Sequence, residues 1–492
     1  MGTSGLHQLS AAVLDRPQDD HAIEFEKQWY TWGDLRRVAS AVTGLIAESG
    51  AAANSKVVLV AKNRPSAIAA YLGLMEKSYS FRLVYPFQSS TSMARELELI
   101  RPSAVIAAEE TFDSEIVAVL RCNGIAGIAL SQRNACLVAG LERSTNDAAV
   151  SNVPIIEIHT SGTTGAPKPF EFDYGTIATH IVGGRPTPSS AGANPELLPP
   201  ILMYFPAGNI TGLHSTIAPL LRGQRGVLLD RFNVEGWHDH LKRYRPAAGG
   251  LPPAGVRMIL DADLPREDFA SLKMIGSGSA PLDPSVQRAF EQRYGVPILL
   301  AYGATEFGGP VTSMTPDLYA AWGEKKLGSV GKPLPGAHVR VIDPETNREL
   351  SAGTMGVLEV ISPRMGPEWI RTSDIAYLDE DGFLFLCGRA DGAIMRGGFK
   401  VLPETIEKAL LLHPAISAAG VIGISDHRLG QVPAAAIQLS AGVKEPTFAE
   451  LERHLREHLA ATHIPVKWKY VSELPRTASY KVHLPALRAL FE

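Results

Sequence analysis

Thr160-Ser161-Gly162-Thr163-Thr164-Gly165-Ala166-Pro167-Lys168 is the stretch on which the reading of this chain turns. Before it runs Pro154-Ile155-Ile156-Glu157-Ile158-His159, a mostly apolar segment that predicts a buried strand ending at a loop. The loop combines four hydroxyl side chains, two glycines and a lysine. Glycine lacks a Cβ, so the backbone can turn its N–H groups inward at positive φ. Hydroxyls add short donors, and Lys168 adds a mobile positive charge. That set suits a polyphosphate; taken alone it also reads as a flexible turn. The Walker pattern Gly-x-x-x-x-Gly-Lys-Ser/Thr does not fit. Counted from Gly162, the second glycine falls on Pro167, and Pro169 stands where a magnesium-binding hydroxyl belongs. Proline also has no N–H to donate. A P-loop phosphotransferase is therefore disfavoured.

A chain of 492 residues exceeds one ordinary core and implies two to four structural units. Its 45% hydrophobic and 20% charged content is that of a soluble globular protein. The net charge of −4 argues against a nucleic-acid partner. No apolar run reaches the roughly 18 residues of a membrane span, and the N-terminus lacks the basic and apolar regions of a signal peptide. The expected location is the cytoplasm. Cys122, Cys136 and Cys387 show no metal or redox spacing and read as buried small apolar residues.

The hydrophobic pattern predicts a helix from Tyr30 to Gly50, then alternating strands and helices: a strand at Lys56–Ala61, a helix from Pro65, and strands at Ser103–Ala108 and Gly124–Leu130. Near-continuous apolar strands suit a parallel sheet covered on both faces. The rhythm resumes with strands at Ile201–Phe205, Gly226–Asp230, Leu272–Gly276 and Pro297–Tyr302, separated by helices. From Lys326 short alternating strands suggest a small barrel or curled sheet. After Gly388-Arg389 mixed α and β returns. The expectation is an α/β chain: a large N-terminal domain (1–388) of two doubly wound α/β subdomains plus a small β-barrel, and a smaller mobile α+β C-terminal domain (389–492).

The quoted loop resembles the phosphate loop of the adenylate-forming superfamily, which includes acyl-CoA synthetases, peptide-synthetase adenylation domains and luciferases. That loop usually reads Thr-Ser-Gly-Thr-Thr-Gly-x-Pro-Lys-Gly, and only the last residue, Pro169, departs. Further stretches extend the resemblance in order: Gly278-Ser279-Ala280-Pro281 beside the adenine, Tyr302-Gly303-Ala304-Thr305-Glu306, Thr372-Ser373-Asp374, Gly388-Arg389, and Pro475-Arg476-Thr477-Ala478-Ser479-Tyr480-Lys481. By resemblance, Thr160, Ser161, Gly162, Thr163, Thr164, Gly165 and Lys168 bind the phosphates of ATP. Tyr302 stacks on adenine, Thr305 meets the α-phosphate, Glu306 holds Mg²⁺, Asp374 takes the ribose hydroxyls and Arg389 the ribose–phosphate region. A carboxylate suits hard Mg²⁺, which is bound through one or two carboxylates plus phosphate oxygens. By the same resemblance, Asp391 would be the hinge, Gly397, Gly398 and Lys400 would line the thiol-acceptor tunnel, and Lys481 would bridge substrate carboxylate and α-phosphate. Tyr480 replaces the family's glycine before that lysine and restricts the loop.

The resemblance implies an AMP-forming acid–thiol ligase. A carboxylic acid becomes an acyl-adenylate with release of pyrophosphate, and the acyl group passes to the thiol of coenzyme A. A carrier protein's phosphopantetheine is an alternative acceptor, and a non-catalytic ATP-binding homologue is an alternative role; monomer and homodimer both remain open. Pro206-Ala207-Gly208-Asn209-Ile210-Thr211-Gly212-Leu213 resembles the acyl-binding stretch, with Asn209 where a histidine or aromatic is common. No aspartate between Met203 and Leu221 is available for an α-ammonium group, so an acyl or aryl acid is expected. Asn209, Gly308 and Gly309 are its candidate pocket residues: the glycines could leave room, and Asn209 could bond a polar substrate or satisfy a buried loop. Arg396 and Lys400 could meet a coenzyme phosphate or be surface charge. His454-Leu455-Arg456-Glu457-His458 matches the inverted zinc-peptidase pattern His-x-x-Glu-His. Like Trp237-His238-Asp239-His240, it reads as charged helix surface.

Overall fold

The computed structural model describes residues 5–52, 55–146, 153–159, 169–183, 198–390, 392–396, 399–426, 429–477 and 480–492. It falls into two compact units, Met1–Gly249 with Ala304–Gly309, and Gly250–Gly303 with Pro310–Glu492.

The first unit is built on a seven-stranded sheet. Its strands lie in the order Ala135–Leu137, Ala126–Leu130, Ala104–Ala108, Val57–Val60, Phe81–Val84, Ile155–His159 and Pro169–Asp173. The five inner strands are parallel and the two edge strands antiparallel. Val57–Val60 is buried at every position, which is why it reads as a continuous apolar run. The helix Pro65–Glu76 is buried from Pro65 to Met75 rather than along one stripe. One charge sits inside this sheet. Glu157, 1% exposed, accepts hydrogen bonds from Lys56 and Arg82. Two cations for one carboxylate offset its desolvation, and losing either partner would expose that cost. The strand carrying Glu157 leads directly into residue 160.

A second, four-stranded sheet has the order Ile201–Met203, Gly226–Leu228, His21–Phe25 and Gln28–Thr31. The strands at 201 and 226 therefore pair with an N-terminal hairpin, which the sequence pattern did not reveal. Its turn is Glu26-Lys27, with φ of 51° and 64°. A two-residue hairpin turn with positive φ at both positions is normally marked by Asn-Gly, so Glu-Lys gave no signal.

In the second unit Met274–Gly278 and Ile298–Ala304 run parallel, and Pro284–Tyr294 is the helix expected there. The segment read as a small barrel is a four-stranded antiparallel meander: His338–Ile342, Gly356–Ser362, Gly366–Leu378 and Leu384–Arg389. Beyond it, Ile416–Asp426 and Gly430–Leu439 form a long antiparallel pair, joined in parallel by Lys467–Val471. Ile406 and Leu410 of the helix Pro403–Leu411, with Leu451 and Leu455 of Phe448–His458, pack into the core over this sheet.

Two readings are corrected. Cys122 and Cys136 are exposed and Cys387 half-buried, all three as free thiols. Cys122 closes a surface helix and Cys136 sits on an edge strand. His240 is no surface residue: it is 6% exposed, its Nε2 lies 2.8 Å from the Pro200 carbonyl, and burial lowers its pKa.

Candidate active site

Three of the expected nucleotide residues come together in the second unit. Asp374 and Arg389 face each other across paired antiparallel strands. Thr372 Oγ1 accepts from the Asp374 N–H at 2.9 Å and donates to the Leu358 carbonyl at 2.8 Å, which fixes the strand around the carboxylate. On the partner strand Cys387 is the extra residue of a bulge, since Ile375 pairs with Gly388 and Ala376 with Leu386. Gly388 takes φ 148°, and a Cβ there would meet Glu404 Oε2 at 2.5 Å. Bulge and glycine together aim Arg389 at Asp374. Arg389 Nη1 stands 3.6 Å from Asp374 Oδ1, while the Tyr302 hydroxyl donates to Asp374 Oδ2. Tyr302 is 8% exposed, and Asp374 keeps 19% side-chain exposure. A partly open carboxylate, oriented by an aromatic hydroxyl and flanked by a guanidinium, can accept from two vicinal hydroxyls.

On the neighbouring strand, a Cβ on Gly278 would lie 2.7 Å from the Ala301 carbonyl, so only glycine fits. Ser279 follows with φ 70°, and the chain passes through Ala280 and Pro281 to the helix capped by Asp283. Gly303 is half-buried in the strand that carries Tyr302.

The first unit holds the turn Thr305–Phe307, with Thr305 and Glu306 half-buried. Among the described residues no side chain pairs with Glu306. Its oxygens are thus of a kind and availability that fit a hard divalent cation. Gly308 closes the turn at φ 67°. Gly309 has φ 117°, and its Cβ would fall 2.1 Å from His214 Nε2. The space beside Gly309 is therefore filled by the His214 ring, whose Nε2 lies 2.9 Å from the Gly308 carbonyl.

His214 lies on the helical run that starts at Ile210. Asn209 caps that run, its Oδ1 accepting from the Gly212 N–H at 2.8 Å. Its side-chain oxygen thus satisfies the loop. Gly212 is required because a Cβ there would sit 2.1 Å from the Pro206 carbonyl. Asn63 anchors the same segment. Only 2% exposed, it donates to the Phe205 and Leu229 carbonyls at 3.2 and 3.1 Å and accepts from the Ala207 N–H at 3.0 Å. Sequence reading missed both His214 and Asn63, since neither belongs to a spaced pattern.

Near the C-terminus Tyr480 occupies the left-handed region at φ 61°. The loop keeps a shape that glycine would adopt freely, at a cost of about 1–2 kcal/mol for a residue with a Cβ. The Thr477 N–H donates to the Lys481 carbonyl at 2.7 Å, and Thr477 Oγ1 accepts from the Lys481 N–H at 3.2 Å. The Lys481 side chain is exposed. Arg396 is committed to structure: its Nη1 reaches the carbonyls of Ala461, Thr462 and Ile464. Thr160, Ser161, Gly162, Thr163, Thr164, Gly165, Lys168, Asp391, Gly397 and Gly398, and the side chain of Lys400, lie outside the described residues.

The family model described as AMP-binding enzyme matches residues 9–368, and that for the AMP-binding enzyme C-terminal domain matches 405–481. The chain belongs to the AMP-binding enzyme family and is an ATP-dependent, AMP-forming ligase. Among its relatives, a 2-succinylbenzoate–CoA ligase of Bacillus cereus is 30% identical over 68% of this chain and 70% of its own length. The namesake of Bacillus subtilis is 28% identical over 66% of each. Among solved structures, ATP-bound MatB from Rhodopseudomonas palustris aligns with TM-score 0.81 at 23% identity, covering 99% of both chains. The o-succinylbenzoate CoA synthetase of Bacillus subtilis, in complex with its acyl-adenylate intermediate, aligns with TM-score 0.77 at 22% identity over 99% of both. Among the described residues no helix is long and apolar enough to cross a membrane.

Proposed function

We propose that this ligase joins an acyl or aryl carboxylic acid, lacking an α-amino group, to coenzyme A in two steps. A carboxylate oxygen attacks the α-phosphorus of ATP, giving acyl-adenylate and pyrophosphate. The coenzyme thiol then attacks the acyl carbon and AMP leaves. The observation that carries this reading is Asp374, held between the Tyr302 hydroxyl and Arg389 as an acceptor for ribose hydroxyls. The loop Thr160–Lys168 holds the phosphates that depart, Thr305 meets the α-phosphate, and Lys481 bridges the two reacting groups. Glu306 is the residue to hold Mg²⁺, which when bound supplies positive charge to the phosphate oxygens. Positioning supplies much of the remaining rate, since no protein nucleophile is needed.

The acid class rests on the acyl-binding segment. No aspartate between Met203 and Leu221 can hold an ammonium group. The relatives' acid, 2-succinylbenzoate, likewise carries no amino group. Residues 389–492 act as the mobile domain, turning at Asp391 to exchange Lys481 for the tunnel residues Gly397, Gly398 and Lys400. Three free thiols suit a reducing compartment such as the cytoplasm. The test is Lys481→Ala. Acid-dependent pyrophosphate release should collapse, while transfer from supplied acyl-adenylate to coenzyme A is retained. Undiminished adenylation would refute the role given to Lys481.

A further inference from the structure

The sequence pattern His454-x-x-Glu457-His458 is not used by the ligase reaction. It lies on the last turns of the helix Phe448–His458, where residues three and four apart share one face. One ligand atom from each of the three side chains lies within 4.8 Å of the others. Zinc bonds of about 2.1 Å bring two donors of one ion to about 3.4 Å. Rotation of the exposed Glu457 and His458 side chains covers the difference.

His454 is already prepared for such a role. Its Nε2 lies 2.9 Å from the Ala409 carbonyl on the adjacent helix Pro403–Leu411. That contact places the ring proton on Nε2 and leaves the Nδ1 lone pair for a ligand. A backbone carbonyl on the second nitrogen is the usual outer partner of a metal-binding histidine. His413 packs edge-on against the His454 ring at 5.1 Å, and His454 packs likewise against His458 at 4.9 Å. Arg456, on the same helix, is turned to Glu452 at 2.7 Å.

We propose that His454, Glu457 and His458 bind a divalent transition-metal ion, Zn²⁺ foremost. Two imidazoles and a carboxylate, with water in the fourth position, match its preferred donors. They mismatch Mg²⁺, which takes oxygen ligands, so the site is separate from the magnesium of the ligase reaction. A bound ion would tie the end of this helix to the one bearing Ala409.

The test uses the full chain, treated with chelator and titrated calorimetrically with zinc chloride in excess magnesium chloride. One Zn²⁺ should bind per chain, with no displacement by Mg²⁺. His458→Ala, at an exposed position, should weaken binding by about tenfold or more, and His454→Ala with His458→Ala should abolish it. Cobalt(II) should acquire visible d–d absorption in the wild-type chain and lose it in the double variant. No zinc binding by the wild type would overturn the proposal. So would an affinity unchanged by His458→Ala, which bears on folding far less than His454 does.

Discussion

A methyl group added at Gly309 probes how the helical run from Ile210 is coupled to the Thr305–Phe307 turn. Gly309 has φ 117°, and its Cβ would overlap His214 Nε2 at 2.1 Å. The backbone alone costs about 1–2 kcal/mol for an alanine in that region. Displacing the ring also removes its contact with the Gly308 carbonyl, 2.9 Å away, worth about 1 kcal/mol. Gly309→Ala is therefore expected to cost about 2–3 kcal/mol. At a factor of ten per 1.4 kcal/mol, that is roughly 30- to 150-fold in the folded-to-unfolded ratio. His214→Ala alone removes only the hydrogen bond, roughly fivefold. In the double variant the overlap has vanished, so its cost should not exceed that of Gly309→Ala, giving a coupling of about 1 kcal/mol. The assay is urea unfolding of the wild type and the three variants, read as midpoints at unchanged slope. Two costs that simply add, or a Gly309→Ala variant with the wild-type urea midpoint, would refute the coupling of His214 to the turn.

Two further outcomes follow from buried polar groups. Asn63→Ala leaves the Ala207 N–H and the Phe205 and Leu229 carbonyls without their partner. It should lower stability by about 1–3 kcal/mol, read as a reduced urea midpoint with an unchanged slope. Glu407, which accepts from the Val421 N–H at 2.7 Å, has its pKa pushed up to about 8 from 4.5, chiefly by burial. The folded chain thus keeps a proton that the unfolded chain releases, so this contribution falls as pH rises between about 4.5 and 8. Glu407→Gln should flatten the decline in urea stability measured between about pH 5 and pH 8; an unaltered slope would show that Glu407 does not titrate there.

The alternating βαβ rhythm and the glycines at 278 and 388 were legible in the sequence because both are local. Val57–Val60 reads as a buried parallel strand since every residue is apolar. Gly278 and Gly388 stand where a Cβ has no space. Contacts between distant segments left no such trace. Tyr302 and Asp374 meet across 72 positions and Asn63 and Ala207 across 144, and neither pair has a spacing rule. His214 escaped for the same reason, because its partner is a backbone carbonyl far along the chain. The Glu26-Lys27 hairpin escaped because non-glycine residues at positive φ carry no turn signature. Tyr480 shows the reverse case: the residue departs from the family pattern while its backbone adopts the left-handed conformation anyway.

Adenylyl transfer to a carboxylic acid leaves its signature in the products of ATP. Incubated with ATP, Mg²⁺, coenzyme A and a panel of aryl and acyl acids, the protein should release AMP and pyrophosphate in equal amounts, with an acyl-adenylate accumulating when coenzyme A is withheld. ADP and phosphate in their place, or AMP formation indifferent to the acid, would exclude adenylyl transfer to the acid.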